Sequence, residues 1–477
     1  MRLGAGGDSA GKWRVESGKI LDCRTFSRSM LYASRFTLYV SRFTFYPPPV
    51  PSPSSAELSH IVNQLLNAQE QIAYRPVKDI LTSIDRVVAR FLAPSSTERQ
   101  DAEVHLPGET GLSPEMIRYT LPFIFRAYRA HRLSALLEDE LRSLAVLDDF
   151  SGNRRVVNPR LICHVLAGNL PGAGLDSIIF SLLLKSATLV KASSSASLLP
   201  LQFARSLAEV DPKLAASLSV VTWPGGQMAL EEIAFHRADV VIASGSEQTL
   251  EAIRPRVRGQ FIGYGHKVSF SVIAREALAD TPEIARQAAY DIMLFDQQGC
   301  LSPQVIYVEQ GGTVSPKKFA LHLSQALAHW EHLVPRGRIP QEASLAIRRV
   351  RDETEWQALA GKESVLHTSP HGTEWTVIYE ADPTFAPSPL YRTIRVKPLT
   401  TFTQLNELLA PWRPYLEAVG IAVSPGRLHR LAAILGQTGV SRVCPIGTLQ
   451  TPPLSWRHGG RPRVADLVRW IEIEHTR

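Results

Sequence analysis

The chain reads as an α/β protein built around a doubly wound, mostly parallel sheet, and three observations predict this. Strand-like and helix-like segments alternate between residues 161 and 257, and a second helix-to-strand passage runs from 281 to 308. The composition is that of an ordinary globular chain, 44% hydrophobic and 20% charged over 477 residues. Alternation of this kind sets strands in parallel with helices on both faces, and such sheets bind nucleotide-like ligands at the carboxyl ends of their strands.

The first 55 residues stand apart. Ser34-Arg35-Phe36-Thr37 is repeated as Ser41-Arg42-Phe43-Thr44, and the run Pro47 to Ser55 reads as an extended linker. Eight Arg or Lys against three acids concentrate most of the net charge of +7 here, leaving 44 basic against 42 acidic groups elsewhere. A nearly neutral body excludes nucleic-acid binding as its function. The Arg- and Ser-rich, acid-poor stretch has the character of a transit peptide or of a non-functional extension from an upstream start, and the second reading is preferred. No apolar segment follows the early charges to make a secretory signal.

Residues 56–150 carry apolar positions at spacings of three and four and predict helices. From Val156 the texture changes. LICHVLAG (161–168), TLVKAS (188–193), SLSVVTW (217–223) and ADVVIASGS (238–246) read as strands; 175–186, 198–210, 229–236 and 247–257 read as helices between them. The longest apolar stretch, Leu175 to Val190, is broken by Asp176 and Lys185 and falls short of the ~20 residues of a membrane span. No span is expected. The four cysteines lie too far apart for zinc-ligand spacing or a disulfide framework, which predicts no metal and a reducing compartment, the cytoplasm.

Three strand ends carry loops suited to an anionic ligand: Gly168 to Gly174, Trp223-Pro224-Gly225-Gly226, and Ser244-Gly245-Ser246. Glycine permits close backbone approach and helix starts present unpaired N–H groups. Any one of them could be a plain turn or cap, but three at successive strand ends predict a cofactor. None is a GxGxxG fingerprint or a P-loop, which disfavours a standard Rossmann dehydrogenase or an NTPase.

Phe295-Asp296-Gln297-Gln298-Gly299-Cys300-Leu301-Ser302-Pro303-Gln304 then leads into the strand-like Val305-Ile306-Tyr307-Val308. A polar Gln-Gly turn after a helix predicts an accessible nucleophilic Cys300, its thiol pulled below the free value of ~8.5 by backbone dipoles. The polar neighbours argue against a core position. Cys163, in an apolar strand, reads as packing, and Cys444 as structural.

Taken together these parts resemble the aldehyde dehydrogenase superfamily, and more closely the LuxC-type acyl-CoA reductases, over about residues 150–475. The resemblance matches the family's oxyanion asparagine to Asn169 in AGNLPG, its cofactor-ribose lysine to Lys191 in TLVKAS, its pyrophosphate-region pair to Gly245 and Ser246 in ASGS, and its nucleophile to Cys300 in FDQQGC. Gly439 to Gly447 and Trp456-Arg457-His458-Gly459-Gly460 look like the acyl-CoA reductase subfamily in particular. An aldehyde dehydrogenase-like fold is implied: a cofactor-binding domain with its helical lead-in over 56–266, a catalytic domain over 267–435 carrying Cys300, and a segment 436–477 that packs back, at an oligomer interface in one reading.

Departures from the wider superfamily refine the expectation. Its general-base glutamate would stand at Gly263, in Ile262-Gly263-Tyr264-Gly265-His266-Lys267, so an acyl-cysteine lacks the base that hydrolysis requires. A ribose-binding glutamate found in NAD-preferring members is replaced by Ser194, which removes repulsion against a 2′-phosphate and implies NADPH. The nicotinamide-ribose glutamate is not evident around Ser388 to Val396. Pro224 and Gly225 complete the expected cofactor set. The implied reaction is reduction of a long-chain fatty acyl-CoA or acyl-protein thioester to the aldehyde through acyl-Cys300, with Asn169 and the Cys300 N–H as oxyanion donors. His266 and His458 are candidate proton donors that also read as structural, and Trp456 lines an acyl channel or fills a core. Partners implied by the resemblance are an acyl-protein synthetase and further copies of the chain, the latter through an arm near Asp148 to Asn158. Two rivals stay open: an acyl carrier without redox chemistry, and a non-catalytic scaffold of the same fold.

Overall fold

The computed structural model describes residues 52–168, 170–193 and 197–474. Most of the basic extension expected over 1–55 lies outside the described residues, as do Asn169 and Ser194.

Five helices lead in: α1 (Ser55–Ile72), α2 (Val77–Leu92), α3 (Thr97–Thr110), α4 (Pro114–Arg126) and α5 (Ala130–Leu141). Helix α1 starts at a capping box, in which Ser54 Oγ accepts from the Glu57 N–H and the Glu57 carboxylate accepts from the Ser54 N–H. Its stripe Leu58, Val62 and Leu65 packs on one face of a sheet, against Cys163 and Leu189. Helices α2 to α5 cover the other face and form one core with Ile162, Val190 and Ile242. Odd and even strand positions thus feed two separate cores, as a sheet buried on both faces requires.

After β1 (Arg154–Val157), that sheet is built from β2 (Leu161–Val165), α6 (Leu175–Leu183), β3 (Ala187–Ala192), α7 (Leu198–Val210), the short α8 (Pro212–Ala215), β4 (Leu218–Thr222), α9 (Met228–Arg237), β5 (Val240–Ser244), α10 (Glu247–Ile253) and β6 (Gln260–Tyr264). The order is β4-β3-β2-β5-β6, all parallel. The alternation predicted over 161–257 is present element by element.

A second sheet follows. Its elements are β7 (Val268–Ile273), α11 (Thr281–Met293), β8 (Pro303–Glu309), α12 (Pro316–Leu333), α13 (Gln341–Leu359), β9 (Ser364–Thr368), β10 (Thr376–Glu380), β11 (Thr393–Leu399), α14 (Leu405–Leu409), β12 (Leu416–Ala422), α15 (Pro425–Gln437) and β13 (Arg442–Pro445). The order is β13-β12-β7-β8-β11-β10-β9, with only β9 antiparallel. The last strand, β14 (Arg469–Glu472), returns to pair antiparallel with β1. Among the described residues no helix is long and apolar enough to cross a membrane.

Candidate active site

Because the five strands of the first sheet are parallel, the loops after β2, β4 and β5 leave along one edge. The chain runs outward from β2 to β4 and then returns to place β5 beside β2, so the switch point lies between the β2 and β5 loops. Ligand crevices form at such points. Lys191 ends β3 half-buried, its ammonium shifted down by burial while the Glu231 charge opposes the shift. Glu231 is itself engaged, accepting from the Gly226 N–H at 2.8 Å and pairing with Arg256. Pro224 and Gly225 are exposed, and a Cβ built on Gly225 meets no atom within 4 Å. Ser246 caps α10, accepting from the Thr249 N–H at 3.2 Å and sharing a 2.9 Å hydrogen bond with its hydroxyl. Gly245 precedes it, in contact with Thr249. A lysine and an open glycine loop, with the nearby Glu231 engaged by Arg256 and the Gly226 N–H, form a lining that fits the phosphates of a nicotinamide dinucleotide.

The approach to Cys300 is unusual. Phe295, Asp296 and Gln297 all have positive φ, at 52°, 52° and 63°, a conformation that non-glycine residues hold only when their surroundings dictate it. Here they do. Asp296 Oδ1 takes the Arg392 guanidinium at 2.8 Å and its Oδ2 the Gly337 N–H at 2.9 Å. The Gln297 side chain donates to the Pro303 and Thr393 carbonyls and accepts from the Thr393 N–H, each within 2.8 Å. Arg392, fully buried, also reaches Glu331 at 2.6 Å and the Val334 carbonyl at 2.9 Å. The polar neighbours that argued for an exposed turn are therefore interior clamps, buried because every polar atom named here has a partner.

Cys300 itself is half-buried and packs against the apolar cluster of Leu301, Ala418, Cys444 and Leu449, as Trp456 also does. Its carbonyl accepts from Ser269 Oγ at 2.8 Å. Contrary to expectation, the thiol is pushed up, to about 12: burial disfavours the thiolate, the Glu417 charge adds to it, and the Cys300 and Leu301 N–H groups only partly offset both. The expectation counted the backbone dipoles and missed a carboxylate more than a hundred residues away in sequence. The β2 loop meets this turn, since a Cβ on Gly299 would lie 3.5 Å from Leu170 Cδ1. Asp176, in the first turn of α6, also acts on the thiol and pairs with Arg463.

The remaining candidates separate. His266 is exposed. The His458 ring stacks on Tyr264 at 4.2 Å and 7° and lies 4.8 Å from the Trp456 ring; burial holds its imidazole below the usual range. Trp456 packs against the same apolar cluster as Cys300. A side chain at Gly263 would run into Phe261 at 3.0 Å and Leu250 at 3.3 Å, on the α10 side of β6. Cys163 is core, its thiol raised to about 12 by burial, and the buried Cys444 Sγ lies 3.7 Å from the Val419 carbonyl. Among the described residues no group of three metal-ligating side chains occurs. Glu417, Ser269, Asp296 and Arg392 escaped the sequence reading. A signal existed for Glu417, a lone acid in the apolar run YLEAVGIAV, since such residues are almost never buried without a reason.

Two largely parallel α/β sheets, with a cysteine on the turn where the first sheet's loop meets the second, define an aldehyde dehydrogenase-like fold. Solved structures agree on the fold. An NAD-dependent aldehyde dehydrogenase from Sinorhizobium meliloti superposes with TM-score 0.68 at 13% identity, over 89% of this chain and 88% of that one. An NAD-dependent benzaldehyde dehydrogenase from Corynebacterium glutamicum gives 0.67 at 14% identity, over 89% and 91%. The chain belongs to the acyl-CoA reductase (LuxC) family, which it matches over residues 72–470. It is 27% identical over 425 residues to the long-chain acyl-protein thioester reductase of Aliivibrio fischeri, covering 87% of this chain and 85% of that one. A relative of the same name from Photorhabdus luminescens is 26% identical over 351 residues, covering 71% and 70%.

Proposed function

We propose that the protein reduces a long-chain acyl thioester, carried on CoA or on a protein, to the fatty aldehyde with NADPH, through an acyl-Cys300 intermediate. The observation that carries this reading is the meeting of Gly299 with Leu170, which brings the nucleophile turn against the loop at the cofactor sheet's switch point. Residues 56–266 serve the cofactor, 267–435 the chemistry, and 436–477 close over the nucleophile through Leu449 and Trp456.

In this reading the Cys300 sulfur bonds to the acyl carbon as the donor's C–S bond breaks. The Asn169 amide and the Cys300 N–H hold the carbonyl oxygen, each donor contributing ~3 kcal/mol as its charge develops. Bound NADPH supplies the hydride that reaches the acyl carbon. The resulting thiohemiacetal then collapses, and Cys300 leaves with release of the aldehyde. Lys191, Pro224, Gly225, Gly245 and Ser246 line the cofactor edge. Ser194 in place of a carboxylate, with Glu231 engaged by Arg256 and the Gly226 N–H, favours the 2′-phosphate. An acyl-protein synthetase is a donor partner in keeping with the relatives' names, and the β1–β14 ribbon, with Trp470 and Ile471 exposed, is a surface for self-association.

The test follows NADPH absorbance with a long-chain acyl-CoA, or an acylated protein, comparing wild type with Cys300→Ser. Oxidation of NADPH with aldehyde formation, abolished in the variant, is expected. Thiol release without consumption of NADPH or NADH would instead establish an acyl carrier, and silence with every donor would end the catalytic reading.

A further inference from the structure

The course of β12 past Cys300 bears on how the reaction handles its proton. The β12–β7 ladder shifts register between Leu416 and Val419, so that Glu417 and Ala418 together lie opposite Ser269. The β7–β8 ladder is irregular at the same residue. Ser269 Oγ ties the two together, accepting from the Ala418 N–H at 3.3 Å and donating to the Cys300 carbonyl at 2.8 Å. Bulges re-aim side chains beside active sites. This one holds Glu417 inside the protein at 0% exposure.

Its carboxylate is held at one end. Oε1 accepts from Ser441 Oγ at 2.7 Å and from the Gly459 N–H at 3.0 Å, while the buried Oε2 has no hydrogen-bond partner among the described residues. The Trp456-Arg457-His458-Gly459-Gly460 segment thus acquires a task. Gly459, at φ 61°, turns its N–H onto Glu417 while His458 stacks on Tyr264. A buried carboxylate oxygen without a donor is costly and is not explained by packing. No other charged group acts on the Cys300 thiol as strongly as Glu417 does. Of the other ionisable groups, the Asp176 charge also acts on the thiol, and Asp176, Lys267 and Arg463 act with Glu417 on the neighbouring His458.

We propose that Glu417 accepts the Cys300 thiol proton as the acyl thioester is attacked and returns it to the departing thiolate. This rests on the reductase reading above. The Sγ–H bond breaks as the Sγ–acyl bond forms, and the proton goes to Oε2. The donor's C–S bond then breaks, and its sulfur takes that proton. One thiol is consumed and one released, and the carboxylate is restored. The need is real, because a thiol near 12 is ionised only to about one part in 10⁵ at neutral pH. Transfer concerted with attack never forms the free thiolate.

Glu417→Gln keeps an oxygen for Ser441 and Gly459 and removes the base. Two readouts on the full chain without cofactor separate the possibilities: single-turnover thiol release from a long-chain acyl-CoA, and iodoacetamide alkylation of Cys300, each against pH. Expected is acylation slower by about 10²- to 10⁴-fold at neutral pH and climbing with pH, while the alkylation profile moves to lower pH because a neighbouring negative charge is gone. Faster acylation with the same alkylation shift would make Glu417 an electrostatic brake and overturn the proposal, as would no change in either. Should the Gln variant not fold, Glu417→Asp, which keeps a carboxyl, must acylate more slowly than wild type with a wild-type-shaped pH profile; an undiminished rate would also overturn it. If wild type itself releases no thiol from any donor, the reductase reading fails, whereas alkylation still reports whether Glu417 faces the nucleophile.

Discussion

Asp291, near the end of α11, allows a prediction about how stability changes with pH. Its carboxylate accepts from the Gly447 N–H at 2.6 Å and the Leu449 N–H at 3.0 Å, anchoring the turn that places Leu449 against Cys300. Burial nonetheless dominates and raises its carboxyl from 3.8 to about 7. A folded-state value above the unfolded one means that the native protein binds this proton more tightly. The resulting stabilisation is complete below about pH 4 and is lost as pH rises to about 7. Three units are worth about 4 kcal/mol in full, of which about 2.6 kcal/mol falls between pH 5 and pH 8. Asp291→Asn carries no charge at any pH, but its amide leaves one of the two N–H donors unpaired, a constant cost of about 1–3 kcal/mol. Wild type has already lost about 1.7 kcal/mol of this by pH 5, so the variant is expected to lie within about 1.5 kcal/mol of wild type at pH 5 and to gain on it by about 2.6 kcal/mol by pH 8. Denaturant midpoints of both proteins at the two pH values measure this directly. The acids lowered by their ion pairs, such as Glu276, Glu309 and Asp211, are common to both proteins and cancel in the difference. A gap that stays constant with pH would refute the reasoning, since Asp291 would then be ionised throughout or protonated throughout.

Arg392→Met leaves Asp296 buried without its cation, and loss of one partner of such a pair costs about 3–5 kcal/mol. The denaturation midpoint should fall accordingly, acylation of Cys300 should slow as the 295–297 segment loosens, and adding Asp296→Asn should recover part of both; a variant as stable as wild type would show that the pair does not hold the turn. On the proposed NADPH reading, Ser194→Glu introduces a carboxylate at the position that the family resemblance assigns to ribose selection and should lower the ratio of kcat/KM for NADPH to that for NADH by at least ~10-fold, measured in the reductase assay.

The first sheet and its helices were legible because their signals are local. Strands such as TLVKAS and helices such as 198–210 announce themselves by the period of their apolar residues, and the structure places β3 at Ala187–Ala192 and α7 at Leu198–Val210. The second sheet was harder to read. Its order, β13-β12-β7-β8-β11-β10-β9, joins strands from opposite ends of the segment, and sequence period does not reveal which strand lies beside which. The β1–β14 pair shows the same difficulty in extreme form, since Val156 meets Trp470 across most of the chain.

The site divides along the same line. Cys300 could be singled out because glycine and glutamine beside it mark a turn, and a turn is a local property. Its electrostatics could not. Burial by the assembled fold acts most strongly on the thiol; the groups that add to it are Glu417 and Asp176, distant in sequence, while the adjacent Cys300 and Leu301 N–H groups oppose it. Reading only the adjacent ones gave a lowered thiol, whereas the assembled site raises it. The polar run Asp296-Gln297 misled for a related reason: polarity in sequence suggests solvent, but Arg392, Gly337 and Thr393 arrive from elsewhere to satisfy it in the interior. A polar residue in an otherwise apolar context therefore raises the question of which distant partner it meets. Glu417 poses that question within a strand: Ser441 and Gly459 answer it for Oε1, and the proposed transfer from Cys300 would answer it for the unpaired Oε2.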